Sequence, residues 1–133
     1  MRVELWIPCG ARHEFETVVS MLEDAVDDGE VDEFAVETWD RYVDLSGDLS
    51  PRERRIRDRL TSFARWATLH GETLSGLGAP VVRGVGRMGP ERETRRVPRA
   101  VLAEFEDGVL REVTACEECV GAFSNRLRDL GVE

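Results

Sequence analysis

The chain has 133 residues, 41% of them apolar, and a formal net charge of −9. This length suits one domain with its own core over residues 1–133, and the apolar fraction argues against wholesale disorder. No run of about 18 apolar residues occurs, so no helix is expected to span a membrane. The N-terminal residues read as a strand rather than as a signal peptide. We therefore expect a single cytoplasmic domain with no membrane partner.

The charged residues are unusual in kind. All 18 basic residues are arginine, and the 27 acids outnumber them. An excess of carboxylates keeps a surface hydrated and self-repelling, as in proteins of salt-loving archaea. A GC-rich genome that replaces lysine codons by arginine codons would also give a chain without lysine. We expect a halophilic archaeal protein, with codon bias alone as the alternative.

The first third of the chain predicts a β-α-β unit. Apolar residues alternate with other residues over 2–8, which is the period of a strand. From Arg12 the apolar residues recur at helical spacing, and Gly29 is suited to end that helix. A second strand is predicted over about 31–45, with a break in register. Consecutive strands joined by a helix are expected to be parallel.

The second helix has the clearest local signal. Ser50 is predicted to be its N-cap and Pro51 its first residue, while Glu53 completes a capping box. The helix is expected to run to His70 and to stop at Gly71.

The rest of the chain predicts a strand over 79–87, a strand over 95–106, a hairpin turn at Asp107-Gly108, a strand over 109–115 and a final helix over 117–130. The order of elements is β-α-β-α-β-β-β-α. This order predicts an α+β fold, a mixed β-sheet with helices on one face, in the style of a ferredoxin-like two-layer sandwich. An outward-facing Trp6 would instead mark a second layer or a partner surface.

Three cysteines and a histidine form one candidate site. The predicted topology brings the ends of the first and last strands to the same edge of the sheet. Four Cys and His ligands would make a closed, structural zinc site, with the metal set Cys9, His13, Cys116 and Cys119. Two alternatives remain open: thiol redox chemistry at the C-x-x-C pair, and small buried residues that only pack.

Basic residues form the second candidate site. Residues 51–99 contain twelve arginines and five acids, whereas both flanks are acidic. Arginine binds phosphate in a bidentate manner, so this region could contact DNA. The predicted nucleic-acid contacts are Arg52, Arg55, Arg59, Arg92, Arg95, Arg96 and Arg99. The alternative is that they are solvated residues that pair with the acids of the flanks.

No catalytic motif occurs. The chain lacks a G-x-S-x-G elbow, a glycine-rich phosphate loop with lysine, and an H-E-x-x-H pair. We therefore expect a non-enzymatic regulatory or interaction module with a DNA or protein partner. It could form a homo-oligomer through an exposed sheet edge.

Three segments together resemble a known group of proteins. They are the opening strand–helix–strand with Trp39, the helical Phe63-Ala-Arg-Trp66-Ala, and the ending Leu102-Ala-Glu-Phe-Glu-Asp-Gly-Val-Leu-Arg-Glu-Val-Thr-Ala-Cys116. The chain is similar to small haloarchaeal proteins that are labelled helix-turn-helix domain proteins and have no established activity. The resemblance implies a cytoplasmic halophile protein with a DNA-linked regulatory role. It assigns no functional residue.

Overall fold

The structure is a computed structural model that describes residues 1–83, 92–117 and 121–131, without the side chains of Arg83 and Arg92. Within these ranges the chain forms strands and helices in an α+β arrangement, which confirms the predicted fold class. The strands are β1 (Arg2–Pro8), β2 (Glu33–Trp39), β3 (Tyr42–Asp44), β4 (Val81–Arg83), β5 (Arg92–Arg96), β6 (Ala100–Glu106) and β7 (Val109–Cys116). The helices are α1 (Glu16–Asp27), α2 (Pro51–Leu69) and α3 (Gly121–Asp129), and a short 3₁₀ helix over Arg12–Phe15 precedes α1.

The main sheet has the strand order β2-β1-β6-β7. β1 and β2 are parallel, as predicted for the β-α-β unit, and Val3 lies opposite Phe34. β6 is antiparallel to both of its neighbours, so the sheet is mixed. The turn between β6 and β7 has φ of 52° at Asp107 and 77° at Gly108. Positive φ at both central residues is typical of a tight hairpin turn, which confirms that prediction.

A second, three-stranded antiparallel sheet has the order β3-β5-β4. The strands predicted over 31–45, with a break in register, and over 95–106 each divide between the two sheets, so the prediction of one strand per run is wrong. Pro98 lies at the second break, and proline has no N–H to donate to a ladder. At the crossing point the Val97 N–H donates to the Arg41 carbonyl at 2.9 Å, which joins the two breaks.

Helices cover both faces of the main sheet, so the prediction of helices on one face is wrong. Leu5 and Ile7 belong to a core with α1 and α3. Trp6, on the opposite face of β1, belongs to a second core with α2 and the small sheet. There its ring centroid lies 5.2 Å from that of Trp39 and 6.3 Å from that of Phe63. Because β1 is buried on both faces, Trp6 marks a second layer of the fold, the layer that contains α2 and the small sheet.

The start of α2 is as the sequence predicts. The Glu53 N–H donates to the Ser50 hydroxyl at 3.2 Å, and the Ser50 N–H donates to the Glu53 carboxylate at 3.0 Å. These reciprocal bonds satisfy two N–H groups that an open helix end would leave unpaired. None of the helices in the described ranges is long and apolar enough to cross a membrane.

Candidate functional site

Three of the predicted DNA contacts lie along the side of α2 that faces the main sheet: Arg52, Arg55 and Arg59. Arg59 donates to the buried Glu4 carboxylate at 2.7 Å. Arg55 forms an ion pair with Glu37. Arg52 donates to both the carbonyl and the hydroxyl oxygen of Thr38 at 3.1 Å. Their guanidinium groups therefore link α2 to β1 and β2.

The outward face of α2 carries other arginines. Arg54 and Arg65 are exposed and, at about 100° per residue, both point away from the buried Ile56 side of the helix. Arg57 lies beside them and pairs with Asp58 at 3.1 Å. None of these three arginines belongs to the predicted set of DNA contacts. Their angular position relative to the apolar residues of the helix is the signal that could have found them.

The later predicted arginines are placed differently. Arg95 donates to the Gly78 carbonyl at 2.6 Å, and its partial burial lowers the pKa of the Arg95 guanidinium from its ordinary value. The side chain of Arg92 lies outside the described residues. Arg96 and Arg99 both reach the sheet edge where β1 ends, with Glu117 and Glu14 as their ion-pair partners. The predicted arginines whose side chains are described are thus divided between α2, the small sheet and the sheet edge where β1 ends, an edge that Arg52 of α2 also reaches.

Cys9 follows β1, and Cys116 is the last residue of β7. These two strands run in the same sense, so both cysteines reach the same edge of the main sheet, as predicted. However, β6 lies between the two strands, which separates their axes by roughly 10 Å. Cys116 is buried in the core with α1 and α3. Cys9 is exposed, and an Arg52 nitrogen lies 4.0 Å from its sulfur.

The other two predicted metal ligands, His13 and Cys119, give no further support for a metal site. His13 is exposed, and its Nδ1 lies 3.0 Å from a carboxylate oxygen of Glu16. Cys119 lies outside the described residues. Among the residues that are described, no group of three or more His, Cys, Asp or Glu side chains could hold a metal ion. Zinc binding and thiol redox chemistry stay predictions.

The same edge of the sheet contains a cavity of about 660 Å³. Its apolar lining comes from the ends of β1 and β2 and from the segment before β6, namely Pro8, Trp39, Val97 and Pro98. Trp39 is held in place because its indole N–H donates to the Arg99 carbonyl at 3.4 Å.

Two ion pairs complete this lining. Arg41 donates to Glu117 at 2.7 Å, and Arg99 donates to Glu14 at 2.5 Å. The four charged residues come from segments far apart in sequence, so no local sequence motif predicts that they meet. Of the four, only Arg99 belongs to a predicted site.

The chain is a member of the family described as Helix-turn-helix domain, whose sequence model matches residues 1–129. This confirms the predicted resemblance to proteins labelled helix-turn-helix domain proteins, whereas the haloarchaeal origin stays a prediction. No match is found among curated proteins or among solved structures. Within the described ranges, strands separate α1 from α2 and α2 from α3, so no two of these helices are joined by the short turn of a helix-turn-helix motif.

Proposed function

We propose that the protein is a non-enzymatic regulatory module that binds double-stranded DNA. The observation that carries this proposal is the match of a helix-turn-helix domain family to residues 1–129, nearly the whole chain. The lack of a catalytic motif is consistent with a binding role. The acidic composition supports a cytoplasmic protein that works at high salt.

The surface that we propose for DNA is the outward face of α2. This helix has 19 residues and is therefore about 28 Å long, enough to lie along a major groove. Arg54 and Arg65 lie on its exposed face, eleven residues apart. Arg55 lies at the margin of this face, and its side chain is 53% exposed although it pairs with Glu37. Exposed guanidinium groups in this arrangement could contact phosphates on both sides of the groove.

The contacts of the predicted arginines with the main sheet limit their use in a test of DNA binding. Reversal of Arg55 and Arg59 to glutamate would place acids beside Glu37 and Glu4, which would disturb the packing of α2. Loss of DNA binding in that variant is informative only if the variant keeps its fold. Neutralising the outward arginines avoids this difficulty, because Arg54 and Arg65 have no ion-pair partner among the described residues.

The test measures the binding of a fluorescent mixed-sequence DNA duplex from about 0.1 M to about 2 M KCl. We compare the wild type with Arg54→Gln/Arg65→Gln. The matched control is Arg12→Gln/Arg128→Gln, which removes the same charge from exposed positions on the α1 and α3 side. Two lost phosphate contacts should lower the slope of log affinity against log salt by about 2.

We expect at least tenfold weaker binding for the α2 variant and less than twofold weaker binding for the control. Equal losses in both variants would show that net charge, and not the α2 surface, governs binding. Absence of wild-type binding at the lowest salt would refute the DNA role itself.

A further inference from the structure

The cavity at the sheet edge is placed where small molecules commonly bind. It lies beyond the carboxyl ends of the parallel strands β1 and β2, next to the first residues of β6. In sheets with parallel strands, ligands favour the crevice beyond these strand ends. Its volume of about 660 Å³ is within the range of ligand pockets.

The charges around the cavity are balanced. Arg41 and Arg99 contribute two positive charges, and Glu14 and Glu117 contribute two negative ones. A ligand with charge of only one sign would meet repulsion from half of these groups. A ligand with both signs could accept from a guanidinium group and donate to a carboxylate. The balance therefore favours a zwitterion over a simple anion or cation.

Glu117 has an unused acceptor. One of its carboxylate oxygens accepts from Arg41, whereas the other, Oε1, is buried and has no hydrogen-bond partner among the described residues. A buried acceptor without a partner is destabilising. This oxygen lies against Gly76, where an added Cβ would be 1.2 Å from it, so it is enclosed by the chain at the wall of the cavity.

We infer that this cavity binds a small zwitterion with an apolar body, the chemistry of an apolar amino acid. The carboxylate accepts from Arg99, the ammonium group donates to Glu14 or Glu117, and the side chain packs against Pro8, Val97 and Pro98. This site is independent of the proposed DNA surface on α2, so the failure of one proposal leaves the other standing.

The experiment titrates the full chain with L-leucine, L-isoleucine, L-methionine and L-phenylalanine by isothermal calorimetry. For each amino acid that binds, the analogue without the ammonium group and the analogue without the carboxylate are titrated in parallel. We expect at least one amino acid to bind with a Kd below about 1 mM. We expect its two analogues to bind at least tenfold more weakly, because each analogue loses one of the two charge-assisted hydrogen bonds of the amino acid.

Two variants test the assigned roles. Arg99→Gln should weaken the amino acid at least tenfold, whereas Arg128→Gln, a distant exposed control, should not. Glu14→Gln should reduce the preference for the amino acid over its ammonium-free analogue, which a merely structural role would not do. Thermal unfolding of each variant checks that the fold is intact. The proposal fails if no amino acid binds at about 10 mM, or if the ammonium-free analogue binds as tightly as the amino acid.

Discussion

The Glu4 carboxylate of β1 is fully buried and accepts a hydrogen bond from the Arg59 guanidinium of α2 at 2.7 Å. The indole N–H of Trp6 donates to the same carboxylate at 3.0 Å. The Arg59 guanidinium also lies 4.7 Å from the centre of the Phe105 ring, where a cation is attracted to the ring face. Together these contacts join the longest helix of the described chain to the centre of the main sheet.

The first prediction concerns this pair. Arg59→Leu should lower the free energy of unfolding by about 2–3 kcal/mol, because the buried Glu4 carboxylate loses its hydrogen-bonded cation and keeps Arg2, whose Nη1 lies 3.5 Å away. Glu4→Leu/Arg59→Leu should recover much of that loss, since replacing both members by apolar residues removes the uncompensated charge. Chemical denaturation monitored by circular dichroism measures both values.

The matched control for this prediction is Arg54→Leu on the outward face of the same helix. It should change the free energy of unfolding by no more than about 0.5 kcal/mol. An Arg59→Leu variant as stable as this control would show that Arg2 or water compensates the Glu4 charge and that the Glu4–Arg59 pair does not hold α2 in place.

Elements with a strong local signal were predictable from the sequence. The capping box at Ser50 and Glu53 and the turn at Asp107-Gly108 are satisfied by bonds and dihedral angles within a few residues. Glu4 shows the limit of such reasoning. Its position in an alternating strand suggests the polar face of β1, yet it is fully buried because α2 covers that face and brings Arg59 to it.

The candidate sites show the same limit. An arginine-rich helix predicts a basic surface, but which arginines remain free depends on tertiary pairing, as the difference between Arg54 and Arg59 shows. The cavity could not be predicted, because Arg41 and Glu117 are 76 residues apart and meet only when the small sheet packs beside the main one. The edge shared by Cys9 and Cys116 followed from strand order, but the intervening β6 did not.

A second prediction concerns Arg126 of α3, which donates two hydrogen bonds to the buried Glu104 at 2.8 and 3.0 Å. These hydrogen bonds raise the pKa of the Arg126 guanidinium above its ordinary value. A raised pKa means that the stabilisation is fully present below the unfolded-state value and is lost only as pH rises through the folded-state value. That loss falls in strongly alkaline solution, beyond the working range of most proteins.

Arg126→Leu should therefore lower the free energy of unfolding by about 2–4 kcal/mol. The loss should be the same at about pH 7 and about pH 10, because the arginine stays charged at both. Denaturant titrations of both proteins at both pH values provide the comparison. A loss that shrinks by half at the higher pH would contradict the assigned role of the charged pair.

A third prediction concerns thiol reactivity. In a Cys119→Ser variant only Cys9 and Cys116 remain, and the structure exposes the first and buries the second. An aromatic disulfide reagent should modify Cys9 rapidly and Cys116 only after denaturant is added. The two thiols are assigned by mass spectrometry of the labelled peptides.

The predicted zinc set would give a different result in the unmutated chain. Bound zinc would protect Cys9 as well as Cys116, and a chelator would release both together with about one zinc ion per chain. Rapid labelling of Cys9 before any chelator is added would exclude it as a zinc ligand.

A fourth prediction concerns the contact between Gly76 and Glu117 beside the cavity. Gly76 has φ of +86°, and a Cβ added there would lie 1.2 Å from a Glu117 carboxylate oxygen. Gly47 has a similar φ of +91°, but its added Cβ would meet no atom within 4 Å. Gly47→Ala therefore measures the backbone cost of this conformation, about 1–2 kcal/mol, without a clash.

Gly76→Ala should cost more than Gly47→Ala in the free energy of unfolding, because Glu117 must move and lose its bond to Arg41. The excess should be about 1.5–3 kcal/mol, the value of a hydrogen bond between charged groups. Adding Glu117→Ala should remove it, so that Gly76→Ala in the Glu117→Ala background costs no more than Gly47→Ala. If the two glycine variants are equally destabilised from the start, Glu117 is free to leave Gly76, and its contact with Arg41 does not shape the cavity.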